Sequence, residues 1–145
     1  IPFAAVLSRL KARAVVLSVL GNHDWWINGE EITDTLTKNG IKVLANSNTK
    51  VKIKDKTVYI AGVEDLTTRN PNLFLALDNV KQPTILLTHS PDIFKGVPKS
   101  VNLTLAGHVH GGQVRLPFVG AIIIPSKYGL SSSTLALSIL KCLKK

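Results

Sequence analysis

Three apolar runs in this chain each stop at a histidine motif, and that pattern constrains the fold more than any other feature. Ala14 to Leu20 (AVVLSVL) runs into Gly21-Asn22-His23-Asp24. Thr84 to Thr88 (TILLT) runs into His89-Ser90, and Val101 to Ala106 (VNLTLA) into Gly107-His108-Val109-His110-Gly111-Gly112. All 4 histidines of the chain lie in these motifs. Short, nearly continuous apolar runs read as strands covered on both faces. The ends of such strands are where α/β proteins place their chemistry. Imidazole is the commonest protein metal ligand. The pattern therefore predicts buried strands whose ends converge on one metal-centred site.

The remaining elements fit around those strands. Phe3 to Arg13 reads as a short helix, with Ala4, Val6, Leu7 and Leu10 on its apolar face. A second helix is predicted from Gly29 to Asn39, with Glu30 and Glu31 in its first turn and Asn39-Gly40 closing it. Ile41–Leu44, Val51–Ile53 and Val58–Ala61 read as short strands separated by turns at 46–48 and 54–56. A short helix follows around Asn72 to Val80, and a last strand runs from Ala121 to Ile124. This mixture predicts an α/β protein, a layered two-sheet β-sandwich flanked by helices.

At 145 residues with 45% apolar composition, the chain is one domain's worth with a sizeable core. The net charge of +9 suits anionic partners, but the basic residues are dispersed. The densest group, Lys50, Lys52, Lys54 and Lys56, has a period of two and is predicted to share the solvent face of one strand. No nucleic-acid signature accompanies it. Cys142 stands alone, which excludes an intrachain disulfide and a cysteine-based zinc site. No apolar run reaches the roughly 18 residues of a membrane-spanning helix.

Asn22 offers a carboxamide oxygen, and His89, His108 and His110 offer ring nitrogens. Such donors suit Mn, Fe, Zn or Ni rather than Ca. On an extended strand His108 and His110 would face the same way and reach one site. Gly107, Gly111 and Gly112 would let the backbone turn closely around it. Asp24 either orients His23 or caps the next turn. Asp92 divides equally between capping and support of the site, and Asp65 reads as a loop cap, with contact to substrate or to groups behind the metal ligands as the alternative.

Gly21-Asn22-His23-Asp24, then His89, then Gly107-His108-Val109-His110-Gly111-Gly112-Gln113 resemble, in order and spacing, the calcineurin-like metallophosphoesterases. Ala61-Gly62-Val63-Glu64-Asp65, Val114 to Gly120 and Ile124 to Gly129 are similar to a bacterial branch of that family, the YkuE- and YaeI-like phosphodiesterases. The resemblance implies that Asn22, His89 and His108 hold one metal and His110 its neighbour. It implies that His23 is the catalytic histidine beside the metals, facing the leaving group, with Asp24 behind it. Two divalent ions about 4 Å apart would clamp an anionic phosphoester and supply the attacking hydroxide. The implied substrate is a phosphodiester or pyrophosphate, with a lipid-linked nucleotide one form of it.

The family's Asp-x-His and Gly-Asp-x-x-Asp motifs do not occur in this sequence. Residues 1–145 are accordingly expected to be a single partial domain, N-terminally incomplete, with one of its two metal sites short of ligands. Residues 130–145 depart from the family as a divergent tail. Leu135, Ile139 and Leu143 fall on one stripe of it, which reads as a surface helix or as a peripheral membrane contact. Two alternatives to hydrolysis stay open: a catalytically incomplete remnant that binds one metal or a partner, and a basic module for nucleic acid or anionic lipid. The sequence leaves the compartment open between bacterial cytoplasm and membrane association, and it does not define the oligomeric state.

Overall fold

The computed structural model describes residues 6–110, 114–116 and 120–127, with side chains in 6–110 and 124–127. The order of elements is β1 (Val16–Ser18), α1 (Asn22–Ile27), α2 (Gly29–Lys38), β2 (Ile41–Val43), β3 (Ser47–Ile53), β4 (Lys56–Gly62), α3 (Leu73–Ala76), β5 (Thr84–Thr88), a 3-10 helix (Pro91–Gly96), β6 (Leu103–Ala106), β7 (Val114–Leu116) and β8 (Gly120–Ile123). The expected α/β class holds. Strands β1 and β2 form a parallel pair, β3-β4-β5-β6 a mixed sheet, and β7-β8 an antiparallel ribbon. Among the described residues, no helix is long and apolar enough to cross a membrane.

In the mixed sheet, β4, β5 and β6 are mutually parallel, with Gly62 opposite Leu87 and Thr88 opposite Ala106. Their C-terminal ends therefore share one edge. β5 shows why: Thr84, Leu86 and Thr88 are buried while Ile85 and Leu87 are half-covered, as expected of a central strand. Two apolar clusters hold the layers. Ala61, Val63, Ala76, Leu86, Ile93 and Val101 form the larger. Leu20, Ile32, Leu36 and Ile41 form the other, under α2. The sheets meet where Gly62 lies against Leu44 and Val19; a Cβ at Gly62 would overlap the Leu44 side chain.

Helix α2 matches its expected span, and its start has a cap beyond the predicted acidic turn. The Asn28 side chain accepts from the Glu31 N–H at 3.1 Å. Gly40, at φ +78°, closes the helix.

Four expectations need correction. The first predicted helix is helical at Val6 and Leu7 and has ended by Leu10, short of Arg13; its residues 3–5 lie outside the described set. The run from Ala14 to Leu20 forms only a three-residue strand, half-buried, because among the described strands it pairs with β2 alone. The four lysines do not share one strand. Lys50 and Lys52 are exposed on β3, Lys54 takes φ +54° in the two-residue hairpin turn, and Lys56 begins β4. Helix α3 covers four residues rather than nine, since only Ala76 of it is buried and little apolar contact is available to extend it. The tail at 130–145 and Cys142 lie outside the described residues.

Asn46 secures the loop that follows β4. At φ +45° its Oδ1 accepts from the backbone N–H of Glu64 (3.2 Å) and Asn72 (2.7 Å). Its Nδ2 donates to Glu64 Oε2 (3.0 Å) and the Asn70 carbonyl (2.9 Å). Asparagine tolerates the left-handed region and supplies both donor and acceptor. Asn46→Ala is expected to cost about 2 kcal/mol in urea unfolding, from the lost hydrogen bonds at roughly 0.5–1.5 kcal/mol each and the strained φ.

Candidate functional site

The chain after β1 enters α1 at once, so Asn22 is the first helical residue and is 4% exposed. The chain after β5 presents His89, and the chain after β6 presents His108. Three donor atoms meet there. His89 Nε2 is 2.9 Å from Asn22 Oδ1 and 3.0 Å from His108 Nδ1. The two imidazole rings stand edge-on, at 71° with centroids 4.8 Å apart.

This contact pair has a built-in conflict. A neutral His89 can donate through Nε2 to Asn22 Oδ1, or accept there from His108 Nδ1–H, but not both. The conflict disappears when all three lone pairs point at one cation. Metal bonds of about 2.0–2.2 Å to nitrogen and oxygen leave neighbouring ligand atoms roughly 3 Å apart, the spacing found. Asn22, His89 and His108 therefore fit a divalent transition metal. The set contains only two of the stronger ligand types. Among the described residues, no group of three His, Cys, Asp or Glu side chains is arranged to hold an ion.

The backbone explains how the rings converge. Gly21 lies flat against His89: a Cβ at that glycine would sit 2.5 Å from ring atoms Cε1 and Nδ1. Gly107 N–H bonds the His89 carbonyl at 2.9 Å and ties the two strand ends together. The expectation of an extended His108-Val109-His110 is corrected. Val109 N–H bonds the Gly107 carbonyl at 2.8 Å, a γ-turn centred on His108. His108 has φ +68° and His110 φ +52°. Strand β6 ends at Ala106, and it is this left-handed turn, not strand alternation, that presents His108. Left-handed non-glycine residues cost about 1–3 kcal/mol each and cluster at functional sites. His110 lies beyond the turn, exposed, and acts on His89 through charge. Gly111 and Gly112 are outside the described residues.

His23 projects from the first turn of α1, exposed, and its ring packs on Trp26 at 4.8 Å between centroids. Asp24 makes a different contact from the one that would orient His23: its Oδ2 accepts from the Gly21 N–H at 2.8 Å and so caps α1. Asp92 accepts from Ser126 Oγ (2.6 Å) and Lys127 N–H (3.0 Å), and so joins the 3-10 helix to the segment after β8. The sequence reading did not single out Trp26; an aromatic at i+3 from a catalytic-type histidine on a helix was the available signal.

Burial, and then the neighbouring His108, lower the pKa of His89 below its ordinary 6.5; Asp65 and Asp24 oppose that shift. A lowered histidine pKa stabilises the fold fully above the unfolded value and loses that contribution as pH falls through the folded one.

Lone-pair donors gathered at strand ends of an α/β scaffold are of the kind that could hold a metal ion. Relatives make the assignment specific. The chain is 37% identical over 125 residues to the metallophosphoesterase YkuE of Bacillus subtilis, covering 83% of this chain and 44% of that protein. It is 33% identical over 129 residues to the phosphodiesterase YaeI of Escherichia coli, covering 85% and 47%. A metallophosphoesterase of Aquifex aeolicus is 32% identical over 129 residues, covering 83% and 48%. The chain belongs to the metallophosphoesterase family, and it spans about half the length of these relatives. No family model and no solved structure matches it.

Two outcomes test the geometry. Gly21→Ala should displace the His89 ring, seen as shifted His89 ring resonances by NMR, at a cost of about 1–3 kcal/mol for overpacking. In chelator, the urea midpoint should fall as pH drops below 6.5, and His89→Gln should flatten that dependence.

Proposed function

We propose that this chain contributes the histidine-rich half of a metal-dependent phosphoester hydrolase of the phosphodiesterase or pyrophosphatase type. The observation that carries the proposal is that His89 Nε2 lies 2.9 Å from Asn22 Oδ1 and 3.0 Å from His108 Nδ1. The names of the relatives agree with it. When bound, the metal pair would supply Lewis acidity toward the phosphate and activation of the attacking water. Asn22, His89 and His108 would hold one ion, and His110 would contribute to its neighbour.

His23 is exposed on α1, one residue along the chain from Asn22, and would hand a proton to the departing oxygen. Trp26 supports its ring. Asp24 acts on this arrangement through the start of α1, since its carboxylate bonds the Gly21 N–H. The proposed substrate is an anionic phosphodiester or pyrophosphate, with a lipid-linked nucleotide included in that class.

A second reading has an observation of its own. Three donors meet at one point while His110 stands apart, which supports a single metal held without turnover. The two readings separate on metal content and bis-p-nitrophenyl phosphate hydrolysis by the complete gene product. The hydrolase reading predicts turnover with Mn²⁺. His108→Ala should abolish both metal and turnover, whereas His23→Ala should lower turnover about 10²–10⁴-fold, the usual contribution of a general acid, and retain metal. Metal without turnover supports the second reading; neither metal nor turnover rejects both.

A further inference from the structure

Asp65 is fully buried, at 0% exposure, just beyond the end of β4. Its Oδ2 is saturated: it accepts from Thr67 N–H (3.0 Å), Thr68 N–H (2.8 Å) and Thr68 Oγ1 (2.8 Å). These bonds satisfy the role of a loop cap. Its Oδ1 is also buried and has no hydrogen-bond partner. A buried carboxylate oxygen without a partner is costly unless a nearby cation offsets it.

The fold brings this carboxylate to the same sheet edge as the candidate site. β4 and β5 run parallel with Gly62 opposite Leu87, and Val63 N–H continues the pairing to the Leu87 carbonyl at 3.2 Å. Asp65 lies three residues past Gly62 and His89 two residues past Leu87, so both leave adjacent strands at the same edge. The chemistry of the site requires something there. Asn22, His89 and His108 are all neutral donors and bring no negative charge to a divalent ion. Asp24 Oδ2 is bonded to the Gly21 N–H, whereas Asp65 Oδ1 is buried with no hydrogen-bond partner.

We infer that Asp65 is a positioning residue of the metal site: a buried counter-charge behind His89 that strengthens its hold on a divalent ion without touching that ion. Resting on the metal-site reading above, this assigns a role to Asp65 beyond that of a loop cap. Outer groups that support a metal site typically contribute about 10–100-fold to its affinity; Asp65 would do so through its charge, since its Oδ1 makes no hydrogen bond.

Calorimetric titration of the complete gene product with Mn²⁺, alongside thermal melting, tests it. Asp65→Asn keeps the shape and the loop acceptor but removes the charge; it should bind Mn²⁺ about 10–100-fold more weakly. Thr68→Val removes a loop bond and keeps the charge; its affinity should stay within about twofold, well inside that range. Equal affinity in Asp65→Asn and wild type overturns the inference while leaving the metal site standing. So does a tenfold loss in Thr68→Val, which makes the loop and not the charge responsible. If Asp65→Asn does not fold, Asp65→Glu carries the test beside Thr68→Val: with the charge kept, a folded variant must retain affinity, and a tenfold loss refutes the proposal. No Mn²⁺ binding by wild type rejects the metal site and this inference together.

Discussion

Everything at the functional edge of this protein depends on one shared atom, His89 Nε2. Asn22 approaches it from one strand end and His108 from another, at 2.9 and 3.0 Å. One imidazole nitrogen cannot at once donate to the Asn22 carboxamide oxygen and accept from His108 Nδ1–H, so the arrangement is a poor hydrogen-bond network and is better suited to a ligand set. The surrounding backbone is arranged to hold this meeting. Gly21 gives the His89 ring room, Asp24 fixes the Gly21 N–H, and the Gly107 N–H bonds the His89 carbonyl.

The parallel order of β4, β5 and β6 is what brings distant residues to that atom. Parallel strands deliver their C-terminal ends to one edge, so residues 19 positions apart, His89 and His108, come into contact. The apolar clusters under the sheets fix the strand positions, and the close approach of Gly62 to Leu44 and Val19 joins the sheet that carries Asn22 to the one that carries His89. The left-handed turn at His108 then presents its ring to His89. Its backbone cost is recovered where a ring must leave its strand and turn back toward the neighbouring strand end.

Much of this was legible in the sequence because burial has a compositional signature. TILLT is a buried strand in any reading, and the Gly29–Lys38 helix carries its acidic start and asparagine-glycine end in plain view. The histidine motifs also showed which residues would gather. The route by which they gather was less visible. A two-residue spacing suggests an extended strand, but the glycine before His108 favours a turn, and a period of two cannot distinguish these. The lysines at 50–56 misled for the same reason, since a hairpin turn preserves alternation in sequence while breaking it in space. Asn46 was harder still. Its importance lies in bonds to backbone groups far along the chain, and no local pattern encodes those partners.

The central claim is that the histidines after β5 and β6 and the asparagine after β1 hold one divalent ion. Pulsed electron paramagnetic resonance of the Mn²⁺-loaded complete gene product tests it most directly, because directly bound imidazole nitrogens give their own couplings. The account predicts couplings from two histidine nitrogens, reduced to one in His89→Gln. A spectrum of Mn²⁺ surrounded only by water and oxygen ligands, unchanged by that substitution, would contradict it.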